Sequence, residues 1–461
     1  MRGGTPSRSP ALSVAQWFVD MPPDLGIIAL MKRRVLLAGT QSWQTHLKWF
    51  TPGIGVKRWL LLLALGVGLL SLGGAVALRA AYPLPRHFYY LTLQFLPRSL
   101  RVISFLIAAA STIAYAIWGL SRALLIPIMS GAHPSIPEVL YDYRRRGRGP
   151  RVVVIGGGHG QSSVLRGLKA FTSNLTAIVT VADDGGSSGK LRRDVGILPP
   201  GDFRNCIAAL ADDEALVTRL FQYRFANGKD LSGHSFGNLF ITAMAGITGS
   251  FESALKESSQ VLAVQGRVLP STLEAVTLCA DVSRHDGSVA RVCGESAIPQ
   301  ASGHILRVTL IPESPSAYPG AIQAILAADL VVIGPGSLYT SILPNLLVPQ
   351  ILEALRATRG TRAYVCNVAT QPGETDGYTA EEHVRALERH VGEGIVDKII
   401  INASLPKTAP IVENTECDWV RPEGIMSEDP RAIAADLLDH AHNGHHDSER
   451  LALTLVSLMK E

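Results

Sequence analysis

Cysteine is scarce in this chain. Five residues, Cys206, Cys279, Cys293, Cys366 and Cys417, stand singly along 461 positions. Their odd number and wide separation offer neither a zinc-ligand spacing nor a disulfide framework, which excludes the small stapled classes and fits a reducing compartment. Charge is scarce as well: 18% of residues carry it and the mean hydropathy is +0.20, a balance that points to a membrane-attached protein. The net charge of +4 is too small to demand a nucleic-acid partner. No serine, cysteine or lysine nucleophile stands beside an evident base, so the residues do not declare a covalent catalyst.

Two long apolar runs occupy the first part of the chain. Residues 1–57 are irregular, and Met31, followed by Lys32, Arg33 and Arg34, is a second possible start. Trp59 to Leu78 is uncharged and long enough to cross a hydrocarbon core of roughly 30 Å as a helix. Val102 to Leu120 is a second such run, with Tyr115 and Trp118 near one end, where aromatics favour the interface. Together they predict a transmembrane hairpin over 58–122, joined by a basic linker over 123–150 to the remainder of the chain. Lys57 and Arg58 before the first run, and Arg122, Arg144, Arg145, Arg146 and Arg148 after the second, favour both ends on the cytoplasmic side of the cell membrane. The linker either touches anionic headgroups or is a solvated connector.

From Arg151 the pattern changes to short apolar strands alternating with helical spacing, the signature of an α/β layer fold over 151–446, with a C-terminal helix over 447–461. Val152 to Ile155 runs directly into Gly156, Gly157, Gly158, His159 and Gly160, and helical spacing begins at Gln161. A strand that feeds a glycine turn and a helix start is receptive to phosphate, because unpaired backbone N–H groups and the helix dipole meet there. The strict dinucleotide fingerprint is broken, since Ser163 stands where its third glycine would fall, and no Walker lysine follows. Strand 175–181 ends in Asp183 and Asp184, followed by Gly185, Gly186, Ser187, Ser188 and Gly189, where an acidic group can accept from a ribose or base.

Further strands are expected at 275–279, 289–293, 305–310, 330–333, 363–366 and 398–401. Ligands of such sheets collect outside the carboxyl ends of the strands, so the loops there hold the remaining candidates. Asp202 either caps a helix over 203–211 or contacts a ligand, and Arg204 beside Asn205 suits a phosphate or a carboxylate. His234 is read first as a hydrogen-bonded structural residue, and Asn238 either recognises a base or sugar or holds a turn. Ile333 leads into Gly334, Pro335, Gly336, Ser337, Leu338 and Tyr339, repeating the strand-glycine-helix arrangement. Two anion-receptive loops in one sheet suit a diphosphate better than a single phosphate, since each helix start contributes only about 0.3–2 kcal/mol. Cys366 and Asn367 open a polar loop to Gly377, either a lid or an ordinary surface loop. His440, His442, His445 and His446 read as a polar tail rather than a metal tract.

The segments Thr180–Gly189, Pro199–Asp202, His234–Asn238, Ile333–Ser341 and Gly373–Tyr378 resemble the bacterial gluconeogenesis factor (YvcK-like) family. Its superfamily also holds the 2-phospho-L-lactate transferase of deazaflavin-coenzyme synthesis. The resemblance covers about 151–402 and not the hairpin. It implies a Rossmann-like, doubly wound fold, binding of a UDP-sugar such as UDP-N-acetylglucosamine, and regulation of cell shape and envelope synthesis during gluconeogenic growth. It would place Gly157, Gly158 and Gly160 on the diphosphate, Asp183 and Asp184 on the nucleoside or a metal-bound phosphate, and Asn238 and Ser337 on the ligand's polar edges. The other ligand-binding candidates are His159, Ser187, Ser188, Asp202, Arg204, Asn205, His234, Gly334, Gly336, Tyr339 and Asn367. No cofactor is demanded. Magnesium is compatible with a nucleotide diphosphate, held by Asp183, Asp184 and Asp202, and a transferase of the phospholactate type is the alternative to a non-enzymatic sensor. A homodimer is compatible with the sequence.

Overall fold

The computed structural model describes residues 56–78, 95–128 and 145–459, with 213, 229–230, 285, 302, 407, 413–414, 426–428 and 443 excepted. Residues 1–55 of the N-terminal segment 1–57, residues 79–94 between the two apolar runs, and linker residues 129–144 therefore lie outside the described residues. The chain divides into two compact units, Met1–Tyr143 and Arg144–Glu461.

The first unit contains α1 (Val56–Leu78) and α2 (Arg98–Ile128). Small residues let the two helices approach closely. A Cβ on Gly66 would stand 2.7 Å from Ile113 Cγ1, and one on Gly119 would stand 2.5 Å from the Trp59 ring. Trp59 also meets Tyr115 edge to face, with centroids 5.1 Å apart. Among the described residues one helix, over Ser99–Gly119, is long and apolar enough to cross a membrane, while the apolar stretch in α1 is the shorter Arg58–Gly74.

The second unit is built on a mostly parallel α/β plan with flanking helices, Rossmann-like as expected. In chain order it contains β1 (Val152–Gly156), α3 (Gly158–Leu168), β2 (Leu175–Val179), α4 (Gly186–Val195), α5 (Gly201–Leu210), α6 (Glu214–Gln222), α7 (Phe236–Thr248), α8 (Phe251–Val261) and β3 (Arg267–Pro270). Then come β4 (Thr277–Ser283), β5 (Val289–Cys293), β6 (His304–Ile311), α9 (Pro319–Ala327), β7 (Leu330–Ile333), a π-helical turn (Leu338–Ile342), α10 (Leu343–Leu346) and α11 (Pro349–Ala357). The remainder comprises β8 (Thr361–Val365), α12 (Ala380–Val391), β9 (Lys398–Asn402), β10 (Ile411–Val412), β11 (Thr415–Glu416), β12 (Ala432–Ala435) and α13 (Ser448–Ser457).

Seven strands form one parallel sheet in the order β12-β9-β8-β7-β1-β2-β3. From β1 the chain winds outward through β2 and β3, then returns to the other side of β1 as β7 and winds away through β8, β9 and β12. The order therefore reverses between β1 and β7, and a crevice opens at their carboxyl ends. Val152 to Ile155 and Leu330 to Ile333 are buried at every position, as expected of strands covered on both faces. Buried Gln161 ties the sheet beneath the crevice: its Nε2 donates to the carbonyls of Val154 and Ile178, each at 2.9 Å.

A smaller antiparallel sheet, β5-β4-β6, carries a disulfide between Cys279 and Cys293. This corrects the reading of all five cysteines as single. The two are direct partners in the β4–β5 register, so pairing brings together residues that are 14 apart in sequence. The last residues of the basic linker hydrogen-bond to the second unit: Asn174 Nδ2 donates to the Gly149 carbonyl at 2.7 Å, and Arg146 to Gln265 Oε1 at 3.1 Å.

Candidate functional site: a cleft between two glycine loops

The crevice at the strand-order reversal is a polar cavity of about 390 Å³. Its floor comes from the loops after β1 and β7. Gly157 and Gly160 are needed for close approach. A Cβ on Gly157 would lie 2.5 Å from Asp202 Oδ2, and one on Gly160 would lie 2.5 Å from the Pro335 carbonyl. Gly158 adopts φ +64°, a left-handed conformation suited to glycine, and starts α3. Across the crevice, Asn367 holds the other loop: its Oδ1 accepts from Gly336 N at 2.9 Å, and its Nδ2 donates to the Gly336 carbonyl at 3.0 Å.

The wall after β2 is a hydroxyl and amide network. Ser187 Oγ lies 2.9 Å from His234 Nδ1, and Asn238 Nδ2 donates to Ser187 Oγ at 3.1 Å. Ser188 Oγ accepts from Gly201 N at 3.1 Å. Asn238 is buried, and its Oδ1 has no partner among the described residues, which leaves a buried acceptor for a bound molecule to satisfy. Arg204 donates to Ser235 Oγ at 2.7 Å and to Asn205 Oδ1 at 3.0 Å. Burial and nearby Arg224 lower the Arg204 pKa from the ordinary arginine value.

Carboxyl groups crowd the same cavity. Asp202 lies in the first turn of α5, inside the helix rather than capping it, because α5 begins at Gly201. Its carboxylate accepts from the Gly158 backbone N–H, yet burial and the neighbouring Asp183 push its pKa up to about 7. Asp183 is likewise raised, chiefly by burial. Glu295, from the turn after β5, is pushed up to about 9 by burial and then by Asp183 and Asp202. At neutral pH Glu295 therefore carries a proton and can donate a hydrogen bond.

Of the candidates read from sequence, Gly157, Gly158, His159, Gly160, Asp183, Ser187, Ser188, Asp202, Arg204, Asn205, Asn238, Gly336, Ser337 and Asn367 line this cavity. Four do not. Asp184 turns away and accepts from Ser296 N at 2.9 Å and Ser296 Oγ at 2.7 Å. His234 stands behind Ser187, and Gly334 shapes its turn at φ +79°. Tyr339 is fully buried, its hydroxyl 3.0 Å from that of Tyr378. The helical turn that carries it buries Leu338, Tyr339 and Ile342 in the core, while Ser341 lines the cavity.

Sequence reasoning misses Glu295, Gln371 and the pair His445 and His446 as lining residues. Composition places the last two in a tail, but His446 is buried, 3.2 Å through its Nε2 from the Cys366 carbonyl, and burial lowers its pKa to about 4. The 366–377 loop is packed into the wall: Thr375 Oγ1 accepts from Gln371 N at 2.9 Å, and Gly373 abuts the Pro299 backbone. Among the described residues no three His, Cys, Asp or Glu side chains are grouped to hold a metal ion. Asp183 and Asp202 thus suit only a magnesium that brings most of its oxygen ligands with a diphosphate and water.

The fold is a Rossmann-like α/β unit with a polar cleft at the reversal of its strand order. Residues 152–438 match the family 2-phospho-L-lactate transferase CofD. The chain is 48% identical over 322 residues to the gluconeogenesis factor of Bacillus subtilis, covering 68% of this chain and 100% of that protein. With the gluconeogenesis factor of Halalkalibacterium halodurans it shares 53% identity over 251 residues, 54% of this chain and 77% of the other. A crystal structure of a UPF0052 family member from Bacillus halodurans superposes with a TM-score of 0.61 at 43% identity, covering 67% of this chain and 99% of that one. The chain belongs to the CofD superfamily, in its YvcK-like gluconeogenesis factor branch.

Proposed function

We propose that this protein binds a UDP-sugar, such as UDP-N-acetylglucosamine, in the cleft between the two glycine loops. Through that binding it regulates envelope synthesis and cell shape during gluconeogenic growth. The observation that carries the reading is the pairing of glycine loops across the strand-order reversal, around a cavity that holds a buried acceptor on Asn238 without a partner among the described residues. Diphosphate oxygens meet the loop amides, and the hydroxyls and amides of Ser187, Ser188 and Asn238 meet the ligand's polar edges. The apolar run Ser99–Gly119 and the close packing of α1 on α2 support a membrane hairpin, with the second unit on the cytoplasmic side. Calorimetric titration of the full chain in detergent with UDP-N-acetylglucosamine tests the ligand; no heat at millimolar ligand rules it out. Disrupting the gene should give shape defects on gluconeogenic carbon sources and none on sugars. Carbonate-washed membranes should retain the protein.

A second reading is a transferase of the phospholactate type. The match to the CofD family over 152–438 and the grouping of Asp183, Asp202 and Glu295 favour it. In that reading Asp183 and Asp202 would hold magnesium against the diphosphate, and the metal would supply charge neutralisation. Product from a nucleotide-activated phospholactate and a deazaflavin acceptor, lost in Asp183→Asn, would put this reading first.

A further inference from the structure

We propose that Cys279 and Cys293 form a reversible thiol–disulfide element that sets the position of Glu295 in the cleft and so tunes ligand affinity. The proposal rests on the reading of the cleft as a UDP-sugar site. Its basis is the path of the chain after β5. Cys293 is the last residue of β5 and is exposed, while its partner Cys279 lies buried in the central strand β4. Gly294 follows at φ +114°, with its N–H donating to the Leu278 carbonyl at 2.8 Å, so the chain turns off the sheet one residue after the sulfur. Glu295 is the next residue and lines the cavity. Ser296, one further on, is bolted to Asp184 in the loop after β2 by two hydrogen bonds of 2.9 and 2.7 Å. The segment also supports the opposite wall, since Gly373 of the 366–377 loop abuts the Pro299 backbone.

Glu295 is therefore held from both sides, by the cross-strand bridge before it and the Asp184 latch after it. It stands among carboxyls that oppose its charge. β5 lies at one edge of its three-stranded sheet, paired with β4 alone. Opening the bridge removes the covalent tie closest to the turn and leaves Glu295 held by the latch and by β5 pairing. A looser Glu295 must be ordered when ligand binds, which weakens binding by the cost of fixing one long side chain.

The chemistry is balanced by a small-molecule disulfide of the glutathione type. The Cys293 thiolate, the exposed one, attacks a sulfur of that disulfide and releases one thiolate. The Cys279 thiolate then attacks Cys293 Sγ, closing the bridge and releasing the second, so two electrons and two protons pass from the protein to the small disulfide. Buried Cys206 and Cys366 take no part.

The test uses the full chain in detergent, poised with oxidised or reduced glutathione, and reads two quantities. The first is UDP-N-acetylglucosamine affinity. Reduction should weaken it about fivefold, Cys293→Ser should sit at the reduced value in both poises, and Glu295→Ala, which leaves no long side chain to order, should remove the difference between poises. The second is hydrogen exchange of residues 294–298 without ligand, which should quicken on reduction and in Cys293→Ser. Equal affinity and equal exchange in the two poises would overturn the proposal and leave the cleft assignment standing. Faster exchange on reduction without any UDP-sugar binding would keep the mechanical link and sink the ligand. Faster exchange with unchanged affinity would overturn the link to binding.

Discussion

The two glycine loops that face each other across the cleft are secured by opposite means. The loop after β7 is clamped by a neutral group: both polar atoms of the Asn367 amide bond to Gly336, and neither responds to pH. The loop after β1 gives its helix-starting N–H at Gly158 to Asp202, a carboxyl whose ionisation is displaced to about 7. One loop is a fixed mould. The other is held by a group whose charge competes with any incoming anion, so ligand binding at that end should depend on protons and at the other end should not.

The largest effect expected is from closing the gap between the loops. Gly160→Ala sets a methyl against the Pro335 carbonyl, and a backbone group cannot give way cheaply. Stability in urea should fall by about 1–3 kcal/mol, with ligand heat lost; wild-type affinity in this variant would break the comparison at its root. Next is Asn367→Ala, which removes two hydrogen bonds from Gly336. A loss of about 1–3 kcal/mol and roughly tenfold weaker binding, equal at pH 6 and pH 8, would mark the mould as insensitive to protons. Asp202→Asn addresses the opposite loop. Without divalent cation, wild-type affinity should decline by about threefold between pH 6 and pH 8 as Asp202 ionises, and the variant should show a flat profile.

The smallest effect concerns stability against pH. Asp202 and Glu295 have folded values raised above their unfolded ones, so the folded state binds the extra protons. Their contribution to stability is present at low pH and is lost as pH rises, over the window from about 4 to about 9 set by the two values. Glu295→Gln should flatten the alkaline part of that decline in denaturant titrations at pH 7 and pH 9. An unchanged slope would mean that the folded state does not hold the Glu295 proton over this range.

These loops were legible in the sequence because each is local: a β-branched strand, a glycine turn and a helix start within about ten residues. Asp183 and Asp184 were legible as a pair but not by role, since β2 ends at Val179 and the two lie in the loop beyond it, where no strand alternation fixes direction and only Asp183 enters the cleft. Glu295, Gln371 and His446 were not legible, because long connections and the antiparallel sheet carry them to the site and no spacing records that return. Cys279 and Cys293 failed for the same reason: their strands were expected, their register was not. Tyr339 was misplaced because a helix start after a glycine turn presents most of its apolar residues to the core.

The C-terminal helix α13 packs on α3, with the Ser448 carbonyl seated directly on Gly167. α3 is the helix that begins at the first glycine loop. A change that lifts α13 away from Gly167 would leave α3 uncovered on that side, and would reach the first glycine loop through the helix that starts there.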